Sequence, residues 1–140
     1  MFMINQNYAD LNILDCVKEN IEQVNSILCG QNLNSQNLKI LLSAYENLYN
    51  YTNEIKYKKN IADIYYFYFN QKEKALKAYL EYTSKVHNDS SVLHIIASIY
   101  KSLKDNVNYK KFLDMAGYEN LDAFFNGTKK GFRNLIREDQ

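Results

Sequence analysis

Apolar residues along this chain recur at steps of three and four, the spacing of a helical face, and no stretch alternates in the two-residue rhythm of a strand. Leu11, Leu14, Val17, Ile21, Val24 and Leu28 form one stripe and predict a first helix from Tyr8 to Leu28, with Gly30 as its left-handed stop. Ser35 is the expected N-cap of a second helix that buries Leu38, Leu41, Leu42, Tyr45, Leu48 and Tyr49. A third, from about Asn53 to Phe69, turns Ile61, Ile64, Tyr65 and Tyr68 inward. Asn70 with Glu73 three residues on has the form of a capping box and opens a fourth helix carrying Ala75, Leu76, Tyr79, Leu80 and Val86. Asp89, Ser90 or Ser91 caps a fifth, with Val92, Ile96, Ile99, Tyr100 and Leu103 inside. Asp105 or Asn106 opens a sixth, which buries Phe112, Leu113 and Ala116 and ends at Gly117. Beyond it, "YENLDAFF" predicts a short seventh helix and "TKKGFRNLIRED" an amphipathic tail, read as a cap on the exposed edge of the stack.

The expected organisation is one all-α domain over residues 1–140. Antiparallel hairpins fall at about 8–50, 53–88 and 90–117, followed by a cap over 118–138. The hexapeptides "IADIYY" (61–66) and "IASIYK" (96–101) share Ile, Ala, Ile and Tyr thirty-five positions apart. That is the period of a helical-hairpin repeat, in which each hairpin needs its neighbour to cover its apolar face.

The segment "IADIYYFYFNQKEKALKAYLEYTSK" resembles a tetratricopeptide repeat. Ile61 stands for the leading Leu, Ala62 for the small residue beside it, Tyr65 for the first-helix Tyr and Ala75 for the small residue of the second helix. The likeness covers about residues 54–116 and has departures. Ala75 comes one residue late after Tyr65, Phe69 replaces the turn Gly, and no Pro follows near His87. The second copy keeps Ile96, Ala97, Tyr100 and Leu103 but not the second-helix Ala. The resemblance implies an α-solenoid of about three hairpins whose first helices line a concave groove. Carried onto this chain, it places Lys56, Lys59, Asp63, Tyr66 and Phe67 in that groove from one hairpin. Ser91, His94, Ser98, Lys101 and Ser102 come from the next. The variety that clamps carboxylates has Asn where Asp63 and Ser98 stand, a departure that counts against that sub-function. The comparison with pentatricopeptide repeats fails on number, because three hairpins are too few to read a useful length of RNA.

Composition sharpens this picture in a few places. Apolar residues make up 46% of the 140 and Pro is absent, which suits a chain with its own packed core. The formal charge of +1 divides unevenly: residues 1–50 carry two basic and five acidic groups, and the remainder fifteen and eleven. This balance admits an anionic partner for the later part while lacking the strong basic footprint of nucleic-acid binders. The N-terminus has no secretory-signal pattern and no apolar run approaches the roughly 20 residues of a membrane span, so a cytoplasmic protein is expected. Cys16 and Cys29 fall on one helix, roughly 20 Å apart, too far to pair, and read as buried structural thiols.

His87 and His94 are the two histidines, and no zinc, phosphate-loop or nucleophile-elbow motif is present. The expectation is therefore a binding protein with no catalytic residues, no metal and no cofactor. The aromatic run "YYFYF" at 65–69 cannot share one stripe, because consecutive helical residues stand about 100° apart. Some of its rings must pack on a neighbouring hairpin or face a partner. The expected function is a protein-interaction module or small adaptor holding a peptide with acidic groups and an apolar anchor. Its site is Lys56, Lys59, Asp63, Tyr66, Phe67, His94, Ser98 and Lys101. Alternatives are a secretion-type or assembly chaperone for one client, and a nucleic-acid or foreign-protein binder acting through Lys56, Lys58, Lys59, Lys72, Lys74 and Lys77. A third is a homodimer held by Phe67 and Phe69.

Overall fold

A computed structural model describes the backbone of residues 2–30 and 32–117, and the side chains from residue 13 onward within those spans. Six α-helices follow one another: α1 (Phe2–Cys29), α2 (Ser35–Thr52), α3 (Lys56–Asp63), α4 (Lys72–Thr83), α5 (Ser90–Ser102) and α6 (Asn106–Ala116). A π-helical segment, Ile64–Tyr68, prolongs α3. The described residues contain no strand, and none of their helices is long and apolar enough to cross a membrane. The seventh helix and basic tail expected after Gly117 lie outside the described residues.

Three helix starts, those of α2, α5 and α6, are set by side chains that satisfy the orphan N–H groups of a first turn. Asp89 accepts from the Val92 N–H at 3.3 Å, and Asp105 accepts from the Asn108 N–H at 3.2 Å. Gly117 closes α6 at φ 81, in the left-handed region. At α2 the cap is Asn34 rather than Ser35: Asn34 is extended and its side chain accepts from the Asn37 N–H at 2.8 Å, leaving Ser35 as the first helical residue.

Two expected signals do not operate. Gly30 has no left-handed φ, and its N–H continues the helical ladder to the Ser26 carbonyl at 3.0 Å. The capping box at Asn70 does not form either, because Asn70 is itself left-handed (φ 52) and Gln71 precedes α4 without a side-chain cap bond.

The π segment explains that second failure. The Phe69 N–H reaches back five residues to the Ile64 carbonyl at 3.1 Å, so one more residue occupies the turn than an α-helix allows. Asn70, tolerant of the left-handed region, then reverses the chain. The same insertion shifts the register of the aromatic run. Ile64 stays buried, Phe69 returns to the core beside Tyr65 at a ring separation of 6.4 Å, and Tyr68, expected inside, is 39% exposed.

Contacts are densest within the consecutive pairs α1/α2, α3/α4 and α5/α6, and thinner across α2/α3 and α4/α5. Two cores result. Val24, Leu41, Ala44, Leu48 and Ile64 form one, and the other gathers Ala62, Ala75, Tyr79, Val92, Ile96, Ile99 and Phe112. Helix α3 and its extension serve both, with Ala62 facing the second core and Ile64 the first. Ala62, Ala75 and Ala97 are wholly buried, so bulk there would force the packed helices apart. Each large core side chain such as Ile96 contributes about 1.5–3 kcal/mol of burial.

Helix α1 lies at the end of this arrangement and packs chiefly on α2, which is ten residues shorter. Its expected stripe is therefore only partly covered: Val24 is buried, whereas Leu14 and Ile21 are exposed. Leu103, placed inside by its spacing, is exposed at the α5 C-cap. Cys16 is half-buried and Cys29 exposed, both as free thiols, so neither is the fully buried thiol expected.

Candidate functional site

Lys59, Asp63 and Tyr66 step by four and three along α3 and its π extension and share the face that meets α5. The Lys59 ammonium lies 3.4 Å from Asp89, and the Tyr66 hydroxyl lies 3.2 Å from the Ser98 hydroxyl. Helix α4 reaches the same cluster from behind. Tyr79 donates to Asp63 at 2.5 Å and Tyr82 donates to Asp89 at 2.8 Å.

Burial pushes the Asp63 carboxyl up to about 6, against the pull of the Tyr79 hydroxyl and Lys59, with Asp89 adding to the rise. For Asp89 burial also acts upward. The Tyr82 hydroxyl, Lys59 and the Val92 N–H outweigh it and hold that carboxyl below the usual range. Tyr82, desolvated and bonded to a carboxylate, is pushed up to about 12, and Tyr79 is raised further for the same reasons. Four of the expected groove residues are thus brought together, but into a network internal to the chain.

The others are dispersed. Lys56 is exposed, pairs with Glu54 at 3.0 Å and lies 5.1 Å from the Tyr57 ring. Phe67 is exposed and meets Tyr66 edge-on at 4.9 Å, while Lys101 projects over the Tyr109 ring at 5.6 Å. Ser91 and Ser102 are both exposed. His94 is corrected outright: it is fully buried, with Nδ1 donating to the Ser90 carbonyl at 2.7 Å. The cause is that α5 is covered on nearly every side, its residues Val92 to Ala97 all being buried. Burial lowers the His94 pKa and the Ser90 bond partly restores it.

Among the described residues, a concave feature of the surface lies on another face of α3, where α2, α3 and α4 border a cleft of about 350 Å³. Ile61 and Ala78 line it as its apolar residues, and Tyr49 and Tyr65 as its aromatic ones. Residues 58, 61 and 65 share a face of α3 and its extension, and residues 74, 77, 78 and 81 share a face of α4, by helical spacing. The Lys58 ammonium sits 3.0 Å from Glu81 and 4.5 Å from the centre of the Tyr49 ring. Lys74 sits 5.6 Å from the Tyr65 ring, and the Tyr65 hydroxyl is raised by burial and by its interaction with Glu46. Lys77 makes no ion pair among the described residues.

Tyr49 and Tyr65 fall on core positions by their spacing, and the lysines on an expected nucleic-acid- or foreign-protein-binding face, so the cleft itself is not announced by the pattern. The available signal was that a tyrosine at a core position must still bring its hydroxyl to a polar partner. No protein-family model and no curated protein sequence matches this chain.

Proposed function

We propose that the chain is a protein-interaction module: a short α-solenoid of antiparallel, tetratricopeptide-like hairpins that binds a segment of a partner protein. Three features support the repeat reading. Contacts are densest within successive helix pairs. The small residues Ala62, Ala75 and Ala97 are buried where the repeat pattern puts small residues. The extra residue between Tyr65 and Ala75 is taken up by the π segment, which leaves the rest of the hairpin in register.

The observation that carries the functional reading is the cleft between α2, α3 and α4, where aromatic walls, an apolar floor and lysines converge from three elements. Such a pocket holds one anchoring side chain of an extended segment, with polar groups at the rim setting specificity. The α3/α5 face takes second place, because Lys59, Asp63, Tyr66 and Ser98 already engage one another or their neighbours. Glu46 and Glu81 alternate with Lys58, Lys74 and Lys77 around the cleft, a mixed lining that suits a protein segment, whose charges are placed one by one, better than the continuous phosphate charge of a nucleic acid. In this reading the chain acts as a cytoplasmic adaptor with no reaction of its own.

Photo-crosslinking in the native cell tests it, with the reactive residue placed at Lys77 in the cleft or at Ser91 on the α5 side. The expected result is one discrete adduct from position 77 and none from 91. Adducts from 91 alone, or from neither position, overturn the reading.

A further inference from the structure

The charges of the cleft narrow the kind of segment it takes, an argument that rests on the cleft being the binding site. Lys58 is paired with Glu81 at 3.0 Å, and Glu46 adds a second carboxylate on the α2 wall, so three lysines and two glutamates give the lining a formal charge of +1. The lysines without a carboxylate partner are Lys74 and Lys77, three residues apart on one face of α4, hence about 5–6 Å between their Cβ atoms. Neither has a carboxylate within ion-pair distance among the described residues, and both are exposed. Lys74 stands beside the Tyr65 ring, so a group that reaches it also meets an aromatic surface. Ile61 and Ala78 between the tyrosines offer an apolar floor.

We propose that the cleft binds an acidic segment of a partner protein, with two neighbouring Asp or Glu carboxylates on Lys74 and Lys77 and an aromatic or aliphatic side chain between Tyr49 and Tyr65. A peptide fits this geometry because it supplies closely spaced carboxylates and an apolar anchor on one backbone. The two lysines set encounter rate and selectivity, and the anchor sets the residence time.

Fluorescence anisotropy with three labelled peptides tests the proposal: an Asp/Glu-rich heptapeptide with a central Phe, its Asn/Gln counterpart, and its Lys counterpart. The acidic peptide is expected to bind about tenfold more tightly than the Asn/Gln form, the effect of two partly exposed ion pairs, and to weaken as salt rises. The double variant Lys74→Glu/Lys77→Glu should lose the acidic peptide and gain the Lys form. Both positions are exposed, so its circular dichroism should match that of the unaltered protein. Equal binding of acidic and Asn/Gln peptides, or undiminished binding of the acidic peptide by the double variant, overturns the proposal. Tighter binding of the Asn/Gln or Lys peptide, together with an adduct from position 77, rejects the acidic class alone. Binding of no peptide, with no adduct, rejects the interaction reading as well.

Discussion

Asp63 shows at the scale of one residue how a side chain expected to face a partner is turned to internal use. Its carboxyl is desolvated between α3 and α4 and raised to about 6, above its ordinary value of 3.8. A carboxyl whose folded pKa lies above its unfolded one stabilises the fold most below the unfolded value, and that contribution is lost as pH rises through the folded value. Between pH 4 and pH 7 this group therefore erodes stability. Asp63→Asn should remove the erosion while keeping an acceptor for the Tyr79 hydroxyl, so the variant gains on the unaltered protein as pH rises, reaching about 3 kcal/mol by pH 7. Urea unfolding at several pH values checks this, and a variant with the same pH slope as the parent would show that folding does not raise the Asp63 carboxyl. The repeat resemblance predicts Asp63, Tyr66 and Ser98 on one shared surface, and of these Tyr66 and Ser98 meet, at 3.2 Å between their hydroxyls. It could not show that Tyr79 and Tyr82 from α4 would claim the carboxylates. His94 was misplaced because one-sided patterning cannot register that α6 covers the remaining face of α5.

At the scale of the element, the six α-helices of the described residues were legible because the three-and-four spacing persists through them, and caps such as Asp89 and Asp105 act where their side-chain chemistry suggests. The ends that misled are those where backbone geometry competes with side-chain signals. Nothing in "IYYFY" announces a π turn, yet that turn exposes Tyr68, recovers Phe69 for the core and makes Asn70 a left-handed hinge rather than a cap. The α5–α6 connection shows the same competition, since Lys104 is held at φ 59, where a side chain is strained, while Gly117 at φ 81 meets no such cost. Lys104→Gly should therefore raise stability by about 0.5 kcal/mol, and Gly117→Ala should lower it by about 1 kcal/mol. Chemical denaturation resolves both, and effects of the opposite sign would mean that these turns relax in solution.

Across the described residues as a whole, packing is uneven from helix to helix. Helix α5 is enclosed by α4 and α6, whereas α1 rests mainly on α2 and leaves Leu14 and Ile21 uncovered. Hydrogen exchange should be slowest at Ile96 to Ile99 and fastest within α1, with α2 and α3 between, because opening free energy follows the number of packed neighbours. Uniform protection from α1 to α6 would instead indicate one cooperative unit.

The uneven packing also bears on where a partner can sit. The cleft lies between α2, α3 and α4, each of which packs on a neighbouring helix at either side, so in the proposed reading its walls are formed before a segment binds. The most direct test of this account is the photo-crosslink from position 77 in the native cell, repeated with Lys74→Glu in the same chain. The account predicts a single protein adduct from position 77 that Lys74→Glu diminishes. An adduct that survives the charge reversal unchanged, or one formed only from position 91, would contradict it.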